Sequence, residues 1–325
     1  VKRYFALFLL LVTVILQAVN FISPVAGTAL ITSSFGEFRG SGNRGPHFHM
    51  GIDLSTNMRS GVPILAAADG WLVRVEIDDD DIYGNVVVLE HEDTTRTLYA
   101  HLSKFSPKID SLINSVISEF GKKRIVVNFP AKTFFFKAGE AVGYSGQTGE
   151  AAQPHCHFEI RNADETFCYD PANFIEIPRP REASFTVKSL VIDSERYTYV
   201  EGKTYPFKDP YPKIMLNVAT ALNKNVIGLK ELKMYFNEIL VYDINFGEIP
   251  IEEFNNVWSV YSNDSISDGY SYNAWYKLYP DRGTSLVKTN KFPELGRLPA
   301  RVNVKIVCTD MWNDEFVIRF VVERR

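Results

Sequence analysis

The sequence predicts a mainly β protein: an antiparallel β-sheet domain with one inserted helix, followed by a β-sandwich. Three observations point there. Short apolar runs rich in Val, Ile and Tyr recur from Ile31 to Ile160, separated by Gly-containing turns. One segment breaks that pattern with apolar residues at three- and four-residue steps. After a Pro-rich stretch the β pattern resumes and lasts to the end. The chain has 325 residues, of which 46% are hydrophobic and 23% charged, so it can fill two cores and does not read as disordered.

Residues 1–27 read as an export segment. Lys2 and Arg3 precede an uncharged apolar run, Tyr4 to Leu16; Gln17 and Asn20 break it, and small residues follow around Ala26 and Gly27. The run is short against the ~20 residues that span a bilayer. A cleaved signal peptide and an uncleaved N-terminal anchor, which would tether the protein to the membrane, both remain open. Either places the rest of the chain in the periplasm, the cell envelope or outside the cell.

Residues 28–178 form the first expected domain. Strands are expected around Val62–Val73 with a turn at Gly70, at Asn85–Glu90, Thr97–His101, Ala141–Ser145 and His155–Ile160. Ile109, Leu112, Ile113, Val116, Ile117 and Phe120 make the stripe of an amphipathic helix that ends before Gly121. A charged, Pro-rich linker covers 179–184. Residues 185–325 read as a second domain of immunoglobulin-like type, with β stretches at Phe185–Ile192, Lys213–Ala219, Leu232–Phe246, Tyr272–Tyr279, Arg301–Val307 and Glu315–Val322. Its many aromatic residues are expected to pack rather than to bind. The three cysteines, Cys156, Cys168 and Cys308, are too few for a disulfide scaffold and are expected to be buried thiols.

All six histidines lie between positions 47 and 157. Side chains two apart on a strand share a face. His155 and His157 therefore share one, while Cys156 and Phe158 turn to a core. In His49-Met50-Gly51-Ile52-Asp53, an imidazole and a carboxylate are both good zinc ligands, and Gly51 permits a tight turn or close approach between them. His101 is expected to share a face with Tyr99. His47 is read as a solvent-exposed loop residue, with reach to the site as the alternative; His91 is read as support.

In order, these pieces resemble the LytM/lysostaphin-type peptidases, the M23 family of zinc metallopeptidases. The resemblance runs from about Ile31 to Ile177. It is carried by ITSSFG (31–36), the His49-to-Asp53 motif, GVPILAAADG (61–70), YGNVVVLEH (83–91), YAHLS (99–103), KAGEAVGYSGQTG (137–149), HCHFEIR (155–161) and YDP (169–171). It implies that His49, Asp53 and His157 bind Zn2+, leaving a fourth position for water. It also implies that His101 and His155 are the unliganded catalytic histidines, their two roles not separated. The implied activity is hydrolysis of peptide crosslinks in bacterial peptidoglycan by a zinc metalloendopeptidase. The alternatives are a non-catalytic relative that binds cell wall or activates another hydrolase, and a zinc peptidase acting on proteins. Cys156 departs from the family's usual apolar residue, and the stretch from His101 to His155 is long. The net charge of −4 argues against nucleic acid as a partner.

Overall fold

The computed structural model describes residues 19–27, 30–40, 42–78, 81–121, 124–268 and 271–325. The expected export segment lies outside the described residues up to position 18. The folded part reaches back at least to Phe21. That side chain is buried edge-on to His91 at 5.1 Å, Ile22 N–H donates to the Ala67 carbonyl at 2.7 Å, and Val25 is buried in a bridge to Ile64.

The N-terminal region is built on an antiparallel sheet, as its alternating runs predict. Its main path runs Ile31–Ser33, Ile52–Ser55, His155–Arg161, Arg96–Ala100, Val86–Glu90, Gly70–Ile77 and Ile125–Asn128. The strand His155–Arg161 lies near the middle, between Ile52–Ser55 and Arg96–Ala100. One of its faces, with Cys156, Phe158 and Ile160, is fully buried in the main core beside Tyr99 and Ile52. A three-stranded sheet of Pro63–Leu65, Ala141–Tyr144 and Lys104–Phe105 completes the region.

The helix spans Pro107–Phe120. Pro107 opens it where no backbone donor is needed, and Asp110 sits in the first turn near the positive end of the helix dipole. Gly121, at φ +80°, ends it with its N–H on the Ile117 carbonyl. Ile109 and Ile113 are its buried residues.

The C-terminal region is also β. Five strands, including Ser184–Ile192 and Ile214–Ala221, form one sheet; six, including Glu231–Phe236, Arg301–Thr309 and Glu315–Arg324, form another. They meet through Phe185 stacked on Phe316 at 5.4 Å and Tyr197 against Tyr205 at 5.0 Å. The stretch Leu232–Phe246 is a hairpin, because Asn237 and Glu238 take the left-handed backbone of a tight turn. All three cysteines are free and buried.

The two regions share backbone and core. Glu248–Pro250 pairs with Phe167–Tyr169 and so joins the N-terminal sheet. The charged linker is tied down as well: Arg179 pairs with Asp314 at 2.7 Å, and Trp312 donates to the Ile177 carbonyl at 2.8 Å. Among the described residues, no helix is long and apolar enough to cross a membrane.

Candidate metal centre

Strand register assembles the site. His157 is the direct antiparallel partner of Asp53 on one side and of Ala100 on the other. Direct partners share a face, so Asp53 and His157 stand side by side, opposite the core face of Phe158. His49 reaches them from the segment before Ile52. Gly51 makes this possible: a Cβ there would lie 2.3 Å from the Phe158 carbonyl and 3.0 Å from His157 Nε2.

His49 Nε2, Asp53 Oδ1 and His157 Nδ1 lie 3.0 Å apart in each pair. The far nitrogens of both rings are committed. His49 Nδ1 donates to the Ser34 carbonyl at 2.8 Å, and His157 Nε2 donates to Glu159 Oε1 at 2.9 Å. In the neutral rings both near nitrogens therefore present lone pairs, converging with a carboxylate oxygen on one point. Three acceptors in mutual contact are what a cation resolves, and two imidazoles with one carboxylate suit zinc. These three residues form a group that could hold a metal ion.

The surrounding charges fit the same reading. Burial, together with Arg39, lowers the His49 pKa. Burial alone would raise the Asp53 pKa, but His49, His155 and His157 bring it well below the usual carboxylate range. Burial would likewise lower His157, yet its bonds to Asp53 and Glu159 hold it up at about 9. A proton on Nδ1 thus competes with a metal for the same lone pair. Burial opposes the charge of Glu159, which Arg161 and His157 outweigh, bringing it down to about 2.

His101 and His155 flank this trio. Their rings lie 4.7 Å apart, and His155 Nε2 is 3.3 Å from Asp53 Oδ1. His101 donates from Nδ1 to the Thr148 carbonyl at 2.9 Å, and His155 from Nδ1 to the Gln153 carbonyl at 2.7 Å, so each presents Nε2. Burial, and then the neighbouring His155 and His157, push the His101 pKa well down.

Two expectations need correction. Tyr99 and His101 do not share a face. Tyr99 pairs with Phe158 on the core side, and its hydroxyl accepts from Ala67 N–H. The strand ends at Ala100, and His101 at φ +58° breaks the alternation, which brings its ring beside His155 and His157. His47 is neither solvent-exposed nor part of the acceptor cluster. It is buried, stacked on Phe254 at 4.6 Å, and burial takes its pKa down to about 4. His91 bridges the Asp69 carbonyl and the Thr97 hydroxyl, at 2.8 Å each.

The sequence reading missed Glu159, Arg39 and Glu37. Glu159 was within reach: it lies two residues after His157, hence on the same strand face. Arg39 touches Asp53 Oδ2 at 3.2 Å, across 14 residues, and no strand pattern announces that contact.

Residues 47–123 match peptidase family M23. Over that stretch the chain is similar to that family. The matched span takes in His49, Asp53 and His101 and ends before His155. The chain is 31% identical over 113 residues to the DD-carboxypeptidase/endopeptidase Mpg of Neisseria meningitidis, an alignment covering 35% of this chain and 20% of that protein. It is 27% identical over 148 residues to the peptidoglycan DD-endopeptidase ShyA of Vibrio cholerae, covering 45% and 28%. It is 25% identical over 141 residues to lysostaphin of Staphylococcus simulans, covering 43% and 24%. The chain thus spans less than a third of the length of these relatives. The solved catalytic domain of Staphylococcus simulans lysostaphin aligns over 43% of this chain and 87% of its own, at 25% identity and a TM-score of 0.31.

Proposed function

We propose that this chain is an exported zinc metalloendopeptidase that hydrolyses peptide crosslinks of bacterial peptidoglycan. The observation that carries the reading is the convergence of three acceptor atoms from His49, Asp53 and His157, with His101 and His155 beside them. The family match supports peptide hydrolysis, and relatives named for peptidoglycan and glycyl-glycine cleavage support the substrate.

His49 Nε2, Asp53 Oδ1 and His157 Nδ1 would hold the zinc. Bound there, zinc lowers the pKa of a coordinated water to about 7 and polarises a carbonyl oxygen. Ser34 and Glu159 keep the two ligand rings in the tautomer that binds. His101 and His155 each present Nε2 to the same space, anchored through Nδ1. A ring held neutral there accepts a proton from the nucleophile; a protonated one donates to the oxyanion or to the leaving amine. Export, with a membrane tether where the segment stays uncleaved, is part of the proposal and is carried by the sequence pattern of residues 2–18, because Phe21 and Val25 belong to the fold. The C-terminal sheets are read as an immunoglobulin-like sandwich.

The test is made on purified residues 19–325. Metal analysis should find about one zinc per chain, and digestion of peptidoglycan should release new free amino groups. His49→Ala should lose both. His101→Ala should keep zinc and lose turnover. A folded wild-type chain that holds no zinc and leaves peptidoglycan uncut overturns the proposal.

A further inference from the structure

We propose that Arg39 is a positioning residue for the Asp53 carboxylate, and that the C-terminal region sets it in place through Gly228 and Glu37. This rests on the zinc reading above and assigns the C-terminal region a part in that site.

The two oxygens of Asp53 face different partners. Oδ1 is turned to His49, His157 and His155. Oδ2 accepts from Arg39 Nη2 at 3.2 Å. A carboxylate pinned in this way offers one oxygen to a metal and cannot rotate to offer the other. The same guanidinium donates from Nη1 to Glu37 Oε2 at 2.8 Å. Its two ends are thus fixed by two acids, a geometry a planar fork holds and a point charge does not.

Glu37 is buried, and its Oε1 accepts from three donors: Ser34 N–H at 2.7 Å, Ser34 Oγ at 2.9 Å and Gly228 N–H at 2.9 Å. The Ser34 contacts matter because the carbonyl of Ser34 holds His49 Nδ1. One carboxylate therefore stands behind two of the three proposed ligands, Asp53 through Arg39 and His49 through Ser34. Its third donor comes from the C-terminal region, 191 residues away in sequence.

Further contacts from that region press on the same segment. The Tyr261 hydroxyl donates to the Gly36 carbonyl at 2.8 Å. Gly36, at φ +76°, lies so close to Phe246 that a Cβ would sit 2.6 Å from its ring. Phe48 N–H donates to the Phe254 carbonyl at 2.9 Å. Ser34 to Glu37 and Phe48 to His49 are thus held between the metal site on one side and Gly228, Phe246, Phe254 and Tyr261 on the other. Gly228 has no room for a side chain: a Cβ would meet Glu37 Cγ at 2.9 Å and the Tyr272 hydroxyl at 3.0 Å.

The experiment measures zinc affinity by chelator competition in the full chain and in Arg39→Met, Arg39→Lys and Gly228→Ala, with near-ultraviolet circular dichroism to check the fold. Removing a residue that orients a ligand weakens metal binding by roughly 10–100-fold. That loss is expected in Arg39→Met, with partial recovery in Arg39→Lys. Gly228→Ala touches no ligand, yet its affinity should fall in the same direction. The absorption spectrum of Co2+ in the site should shift in Arg39→Met, because the carboxylate then approaches differently. Should Arg39→Met fail to fold, Arg39→Lys and Gly228→Ala decide. Folded variants that bind zinc within about twofold of wild type, well below the expected loss, overturn the positioning role and leave the peptidase reading intact. A wild-type chain that binds no zinc overturns both.

Discussion

The strands His155–Arg161 and Arg301–Thr309 each lie between two antiparallel neighbours and use their alternation differently. In Arg301–Thr309, Val302, Val304, Ile306 and Cys308 are buried while Arg301 and Asn303 are exposed. That is the ordinary strand with one core face and one wet face. In His155–Arg161 the apolar face is just as buried, but the other face is buried too, and it carries His157, Glu159 and Arg161. Burying such groups costs free energy unless each finds a partner. Here each does: His157 with Asp53 and Glu159, Glu159 with Arg161, and Arg161 with Glu165. A satisfied, buried polar face in one region and a plain amphipathic strand in the other separate the region that carries the candidate metal site from the one that packs against it.

This contrast can be broken one residue at a time. The largest effect is expected on the polar face: His157→Ala should take bound zinc from about one per chain to none, measured by metal analysis, and abolish turnover. Next come the two apolar faces, which should respond alike. Phe158→Ala should cost about 3–5 kcal/mol and Ile306→Ala about 2–5 kcal/mol of stability by urea unfolding. A negligible loss at Phe158 would show that its face is not a packed core.

Glu159→Gln keeps the shape of the polar face and removes its charge. Zinc affinity should fall roughly 10–100-fold, read by chelator competition. A smaller effect is tied to pH. Burial works against the charge of Glu165, but Arg74, Arg161 and Arg96 outweigh it and bring its pKa down to about 2. A carboxyl lowered by folding stabilises the protein above its ordinary pKa of 4.5, and that stability is lost as pH falls toward 2. Wild type should therefore exceed Glu165→Gln in stability by a constant margin from pH 7 to about 5, and the margin should shrink toward pH 2; denaturant titrations at stepped pH measure it. The smallest change is expected on the wet face of the C-terminal strand, where Asn303→Ala should shift stability by no more than about 0.5 kcal/mol.

The elements that followed from sequence are those with a strong local period. The helix Pro107–Phe120 has its stripe, its opening Pro and its closing Gly, and the strands of the N-terminal sheet have their Gly turns. Leu232–Phe246 was legible as β but not as a hairpin. Its turn residues, Asn237 and Glu238, lack the glycine that marks such turns, and they take positive φ only because the flanking strands pair. The nature of His47 was hidden for a related reason. It is flanked by Pro46 and Phe48 in a segment that looks like a loop, and the ring that buries it, Phe254, lies in the other region.

What the sequence by itself determined is the chemistry on offer: which side chains are present, and which share a strand face. His155, His157 and Glu159 must point one way and Cys156 and Phe158 the other, because strand alternation is local geometry. Only the tertiary structure decided the rest. His101 turns to the other histidines through one left-handed residue at a strand end, which no alternation rule contains. Asp53 meets Arg39, and Glu37 meets Gly228, through contacts whose partners lie 14 and 191 residues apart. Pairings over such separations depend on how sheets register and pack, and that is settled by the whole chain at once.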